Sequence, residues 1–138
     1  MSKKDTFHDA VKNALIKEGW TITDDPLTFK IDEVSISIDL GAERVLAAEK
    51  DNRKIAVEIK SFICESQITD YHLALGQFLN YHLFLQESEP ERELFLAVPQ
   101  DAYNSFFKKE IIRKSAVIHS LKLIVYEPLE EVILEWTS

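Results

Sequence analysis

Residues 54–62 of the chain read KIAVEIKSF. The apolar residues from Ile55 to Ile59 alternate with other types, and a period of two is typical of a β-strand. The opposite face of this strand carries Glu58 and Lys60, whose side chains project in parallel about 7 Å apart. Two interpretations are open: an ion pair on a solvated sheet face, or two charged groups that share one ligand.

Length and composition set the class of protein. With 138 residues, 46% of them hydrophobic and 29% charged, the sequence predicts a single globular domain over residues 1–138. It contains no run of about twenty apolar residues, so neither export nor membrane insertion is expected. The lone cysteine, Cys64, cannot form an intramolecular disulfide, which agrees with a reducing, cytoplasmic location.

The charge balance bears on the partners of the protein. The formal net charge is −8 at pH 7, and nucleic-acid binders usually carry a basic footprint instead. This argues against a free-standing DNA-binding module. An enzyme that collects acidic residues to hold a cation remains compatible with it, and so does a subunit whose partner supplies the positive charge. We expect the protein to bind DNA poorly by itself, since no basic stripe stands out in the sequence.

Hydrophobic periodicity and turn residues predict helix, strands, helix, strand, helix and strands, in that order. This order indicates one α/β domain with a mixed sheet. The predicted elements are a helix capped by Asp5 or Thr6 and ended by Gly19, three antiparallel strands or a meander at 20–22, 27–31 and 34–38, a hairpin of 45–48 with 55–59, a helix at 67–87, a strand at 93–98, a short helix at 100–107, a segment of ambiguous pattern at 111–120, and strands at 122–126 and 132–136.

A second carboxylate extends the pattern of the charged strand. Asp39 directly follows the strand that ends at Ile38, and it should overhang the sheet edge next to Glu58 and Lys60. Two carboxylates suit Mg²⁺ or Mn²⁺, hard cations that keep several waters and bind phosphate oxygens. The lysine would offset the acids and orient the attacking water while the cation stabilises charge in the transition state. Such a constellation hydrolyses phosphodiesters.

These residues resemble the motif of the PD-(D/E)xK nuclease superfamily, as Asp39, about twenty residues, then Glu58-x-Lys60. The stretch GQFLNY on the next helix adds Gln77 and Tyr81, which match the Gln-x-x-x-Tyr element of some branches of that superfamily. One departure is visible, because Ile38 stands where the motif has Pro. That proline shapes the backbone and ligates nothing.

A closer resemblance covers nearly the whole chain, through FHDAVKNALIKEGW, IDLGAER, KIAVEIKSF, ALGQFLNY, ERELFLAVP and KLIVYEP. Together these stretches resemble the XisH family, the fdxN element excision controlling factors of cyanobacteria. The resemblance implies a restriction-endonuclease-like domain with a mixed β-sheet flanked by helices. It also implies an accessory role in excision of a DNA element, with DNA, the companion protein XisI and a site-specific recombinase as partners.

The resemblance suggests roles for particular residues. Asp39 and Glu58 would hold Mg²⁺ or Mn²⁺, and Lys60 and Gln77 would complete the catalytic set of a DNA endonuclease. The alternative is a catalytically silent subunit that binds DNA or protein.

Four further residues are secondary candidates. Related nucleases place an acidic residue on the first helix, where this chain has His8 and Asp9, although capping and solvation explain both more simply. Glu49 is either an extra ligand or part of a charged turn, and Tyr81 is a candidate contact to the metal site or to DNA.

The apolar C-terminal region is a candidate docking edge for a partner or for a second copy of the chain in a homo-oligomer. It comprises the run 121–126 with Val132, Leu134 and Trp136. The simpler alternative is that these strands complete the core.

Overall fold

The computed structural model of the protein describes residues 3–46, 51–63 and 65–137. Two residues singled out from the sequence, Glu49 and Cys64, lie outside these ranges. The elements are α1 (Lys3–Lys17), β1 (Thr21–Asp24), β2 (Leu27–Ile31), β3 (Val34–Ile38), β4 (Leu40–Leu46), β5 (Asp51–Ile59), α2 (Gln67–Ser88), β6 (Arg92–Pro99), α3 (Gln100–Ala102) continued by a π-helical stretch (Tyr103–Phe107), α4 (Glu110–Ile118), β7 (Leu123–Glu127) and β8 (Val132–Trp136).

Six strands form a mixed sheet in the order β1-β4-β5-β6-β7-β8. The pairs β5–β6 and β6–β7 are parallel, and the remaining pairs are antiparallel. Parallel neighbours need a long crossover, which α2 provides between β5 and β6 and the α3–α4 region provides between β6 and β7. The predicted mixed sheet flanked by helices is confirmed.

The three N-terminal strands do not form one meander. β2 and β3 pair with each other as a separate two-stranded sheet, whereas β1 pairs with β4 at the edge of the main sheet. Gly41 in β4 lies opposite Asp24 of β1, and a Cβ at Gly41 would lie 2.8 Å from Asp24 Oδ2. The absence of a side chain at Gly41 therefore lets β1 approach β4 closely.

The main sheet is covered on both faces. α1 packs on one face, where Val11 and Leu15 meet Ile55 and Val57 of β5. α2 and the α3 region pack on the other face, in the cluster that contains Ala56. β5 is thus a central strand that is buried on both sides, so its second face is not the solvated surface that one interpretation of the sequence required.

Several element boundaries differ from the sequence prediction. α1 already begins at Lys3, so Asp5 and Thr6 lie within the helix and not at the predicted cap position. Gly19 leaves the helix with φ +91°, as a helix-ending glycine should. Ser66 caps α2, its Oγ accepting a hydrogen bond from the Thr69 N–H at 3.3 Å. The ambiguous segment 111–120 is largely helix α4.

The C-terminal run 121–126 belongs to the core and not to an exposed edge, because β7 lies between β6 and β8. Leu123, Ile124, Val125 and Tyr126 are all buried. β8 is the edge strand, where Leu134 is 47% exposed, but Trp136 stacks on Trp20 with ring centroids 5.8 Å apart.

Among the helices that the structure describes, none is long and apolar enough to cross a membrane.

Candidate active site

Asp39 occupies the single position between β3 and β4, and its fully buried neighbours Ile38 and Leu40 fix the backbone there. The Asp39 N–H donates a hydrogen bond to Glu58 Oε1 at 3.2 Å, and the Ile59 N–H donates to Asp39 Oδ2 at 2.8 Å. Each carboxylate therefore accepts a backbone hydrogen bond from the segment that carries the other. The two side chains meet one residue beyond the Leu40–Val57 pair, at the end of the β4–β5 ladder.

Lys60 follows the end of β5 and completes this group. Its backbone N–H donates to Ala97 O at 3.0 Å, which continues the pairing of β5 with β6 for one residue. Its Nζ lies 3.5 Å from Glu58 Oε2. Glu58 is only 7% exposed and the Lys60 side chain is half-buried, so this ion pair is not a fully solvated surface pair.

The surroundings of Glu58 favour its protonated form. Burial of Glu58, followed by the charge of Asp39, raises the pKa of the Glu58 carboxyl to about 7, and the charge of Lys60 offsets this only in part. A carboxyl with a pKa near neutrality can both accept and give up a proton at physiological pH. Perturbed groups of this kind cluster at functional sites.

Gln77 and Tyr81 lie one turn apart on the same face of α2. Burial, together with the charges of Glu58 and Asp39, raises the pKa of the Tyr81 hydroxyl, so this hydroxyl is within electrostatic reach of the carboxylate pair. Gln77 Oε1 is buried and has no hydrogen-bond partner among the residues that the structure describes. Both side chains line a groove between α2 and the β2–β3 hairpin. A direct role of Gln77 at the carboxylates stays a prediction.

A cleft of about 260 Å³ opens beside the carboxylates, and Asp39, Lys60 and His8 are among the residues that line it. His8 is held there by Asp25, whose Oδ1 lies 2.7 Å from His8 Nε2. Asp9, on the same helix, is exposed, and its charge acts on Lys12. Of the two candidates on the first helix, the structure thus brings His8 to the cleft and leaves Asp9 outside its lining.

The pair of carboxylates suits a hard divalent cation. Two carboxylates at one point, with few protein ligands beyond them, suit Mg²⁺, which is commonly bound through one or two carboxylates and keeps several waters. Within residues 3–46, 51–63 and 65–137 there is no cluster of three or more His, Cys, Asp or Glu side chains able to hold a metal. Asp39 and Glu58 would therefore be the acidic ligands. Their metal-binding and catalytic roles stay predictions.

Sequence reasoning missed Asp25. It lies 17 positions from His8 and 13 from Lys12, and it accepts hydrogen bonds from both side chains. These two partners, which outweigh its partial burial, lower the pKa of the Asp25 carboxyl. No local spacing signals this contact, because it depends on how the β1–β2 turn packs against α1.

The family model described as "XisH protein" matches residues 1–134 of this chain. Two crystal structures are similar to it, each with a TM-score of 0.88. The first is an XisH family protein from Nostoc punctiforme PCC 73102, with 42% identity, covering 97% of this chain and 100% of that one. The second is an fdxN element excision controlling factor protein from Anabaena variabilis, with 43% identity, covering 97% of this chain and 99% of that one.

Among curated proteins, none matches this chain. The family model nevertheless spans nearly its whole length, and both crystal structures share the arrangement of strands and helices described above at more than 40% identity. On these grounds the chain belongs to the XisH family.

Proposed function

We propose that this protein controls excision of a DNA element and that it carries a Mg²⁺- or Mn²⁺-dependent phosphodiesterase site, acting as a DNA endonuclease. The role in excision is supported by the similar protein from Anabaena variabilis, which is described as an fdxN element excision controlling factor. The observation that carries the proposed chemistry is the convergence of Asp39, Glu58 and Lys60 at the end of β5.

Each residue of the proposed site would have its own role in hydrolysis. A divalent cation, when bound, would supply Lewis-acid stabilisation of charge on the phosphate. Asp39 and Glu58 would hold it through carboxylate oxygens. Lys60 Nζ would attract the phosphate and orient the attacking water. As the water oxygen bonds to phosphorus, its proton would pass to the surrounding solvent, and the leaving oxygen, released when its P–O bond breaks, would take a proton from solvent. Tyr81 lines the groove between α2 and the β2–β3 hairpin, and its hydroxyl would contact the DNA strand.

A nicking assay on supercoiled plasmid tests the proposal. The purified protein is incubated with Mn²⁺ or Mg²⁺, alone and with its companion protein, beside the variants Asp39→Asn and Lys60→Ala. We expect both variants to lose nicking, by at least about a hundredfold, since each removes charge from the reacting centre. Matched controls are Asp32→Asn, in the exposed β2–β3 turn, and Lys54→Ala, nearer the start of β5.

The two controls should nick as the unchanged protein does. Nicking that survives in Asp39→Asn would point to a contaminating nuclease and contradict the assignment. Absence of nicking by the unchanged protein under every condition would favour the second candidate.

That second candidate is a catalytically silent subunit that binds DNA or protein and acts with XisI and a site-specific recombinase. The net charge of −8 favours it, because phosphate contacts are unfavourable for an acidic protein that acts alone. The two candidates differ in the effect of Asp39→Asn on excision itself. A silent subunit would support excision with this nearly isosteric variant, whereas an endonuclease would not.

A further inference from the structure

A second groove on the described surface lies away from the carboxylate site, beside α4. It has a volume of about 550 Å³ and an apolar floor that includes Phe107, Leu121 and Leu123, all buried. Val117 and Arg113 of α4 line it as well. An apolar groove with a few polar groups at its rim is a common form of binding site.

The exposed face of α4 continues this apolar surface. Ile111, Val117 and Ile118 are 71%, 77% and 76% exposed, the highest values after Leu129 among the large hydrophobic side chains that the structure describes. Ile111 and Ile118 are seven residues apart and share one face of the helix. Helical geometry places Lys114 between them and Val117, so aliphatic and basic side chains alternate around the exposed surface. Exposed apolar patches of this kind mark interaction sites.

The same segment is basic in an otherwise acidic protein. Residues 108–114 contain Lys108, Lys109, Arg113 and Lys114, four of the chain's 16 Lys and Arg, but only one of its 24 Asp and Glu. That one acid, Glu110, lies 3.3 Å from Lys114 in an exposed pair of little energetic weight. Lys108 Nζ lies over the ring of Tyr103, at the groove. No other segment of seven residues concentrates positive charge in this way, and the sequence prediction of no basic patch is therefore wrong.

We propose that the α4 groove and the exposed face of α4 form a docking surface for an amphipathic segment of a partner protein with aliphatic anchors and acidic flanks. The basic side chains complement acidic flanks, and the groove accepts the anchors. Duplex DNA would use the basic side chains, but it would leave three large aliphatic side chains facing phosphates and water. The apolar groove, the exposed aliphatic side chains of α4 and the basic side chains beside them together favour a protein segment over nucleic acid.

Binding of a synthetic probe tests this surface. The probe is a fluorescent peptide with leucines at helical spacing and glutamates at the remaining positions. A scrambled peptide of the same composition and a peptide with lysines in place of the glutamates serve as comparison probes. We expect the acidic amphipathic peptide to bind the full chain best, and the methyl NMR signals of Ile111, Val117 and Ile118 to shift.

Variants of the surface sharpen the test. Ile118→Ser removes an anchor contact, and Arg113→Glu reverses a charge at the groove. Each should weaken peptide binding about tenfold, and only the Arg113→Glu effect should diminish at high salt. The controls are Leu129→Ser, which is 90% exposed in the turn before β8, and Lys30→Glu on the β2–β3 hairpin. Both should bind the peptide as the unchanged protein does.

Three results would overturn the proposal. Equal binding of all three peptides, or of none, would show that the surface does not select acidic amphipathic segments. A DNA duplex whose binding is lost in Arg113→Glu but unchanged in Ile118→Ser would assign the basic side chains to phosphate contacts. Self-association that disappears in Ile118→Ser would assign the surface to a second copy of the chain. None of these depends on whether the carboxylate site is catalytic.

Discussion

Glu58 is a carboxylate at the end of a strand whose preceding residues, Ile55, Ala56 and Val57, are all fully buried. Burying a charge is unfavourable unless it is paired and hydrogen-bonded, and even a good buried pair is weak evidence for a gain in stability. Asp39 and Lys60 both contact Glu58, one repelling its charge and the other attracting it. A structural role alone does not explain why two carboxylates are kept in contact, and this is a reason for proposing that the group binds a ligand.

The raised pKa of Glu58 has a consequence for stability. Its pKa of about 7 in the fold lies above its ordinary value of 4.5, so the protonated carboxyl favours the folded state. This contribution is fully present below about pH 4.5 and is lost as the pH rises through 7. We expect Glu58→Gln, which is always neutral, to raise the free energy of unfolding at pH 8 by on the order of 2 kcal/mol. Urea titrations at pH 5 and pH 8 measure the difference.

The control for this comparison is Ser35→Ala on strand β3, which removes no titratable group, so its effect on the free energy of unfolding should be the same at pH 5 and pH 8. A Glu58→Gln protein whose advantage over the unchanged chain is the same at both pH values would contradict the buried, protonatable carboxyl.

We expect replacement of Gln77 to raise the stability of the protein and to lower its function. Its buried Oε1 has no partner among the described residues, and an unpaired buried oxygen is unfavourable by about 1–3 kcal/mol. Gln77→Met should therefore raise the free energy of unfolding by about 1 kcal/mol. If Gln77 also serves the proposed site, nicking or excision should fall at the same time. The contrasting change is Gln67→Met, which removes the hydrogen bond from Gln67 Nε2 to Ser105 Oγ and should not stabilise the protein.

The elements differ in how well the sequence predicts them. α2 carries a strong periodic pattern with clear limits, and the structure has it within one residue of the predicted bounds, whereas β5 begins at Asp51, four residues before the predicted start. The pairing of β1 with β4 could not be read from a period of two, because that period states which residues share a face and not which strand lies alongside. The contact of Asp39 with Glu58 was predictable from the resemblance, whereas the contact of Asp25 with His8 depends on tertiary packing.

The two glycines Gly41 and Gly76 give a matched prediction about elements. At Gly41 a Cβ would lie 2.8 Å from Asp24 Oδ2 and 3.1 Å from Arg92 Nη1, so Gly41→Ala should force these side chains aside at the β1–β4 edge. We expect Gly41→Ala to lower the free energy of unfolding by about 1 kcal/mol. In α2, a Cβ at Gly76 would meet nothing within 4 Å, and alanine favours helix over glycine by about 1 kcal/mol.

Thermal or chemical denaturation should therefore give opposite signs for Gly41→Ala and Gly76→Ala. If both variants are stabilised, the close approach of β1 at Gly41 is wrong.

Across the whole molecule, charge is distributed unevenly: the basic side chains concentrate at residues 108–114 while the chain as a whole carries −8. Because neutralising phosphates supplies most nonspecific affinity for DNA, we expect the protein alone to leave a linear duplex unshifted in a gel at physiological salt. Addition of its companion protein should produce a shifted complex. Tight binding by this chain alone, unaffected by the companion, would contradict the dependence on a partner.

The central claim is that Asp39 and Glu58 together hold a divalent cation, and calorimetric titration with Mn²⁺ tests it most directly. We predict one equivalent of Mn²⁺ bound by the unchanged protein and by the control Asp32→Asn, and none bound by Asp39→Asn under the same conditions. Binding by Asp39→Asn with the affinity of the unchanged protein, or no binding by any of the three, would contradict the account.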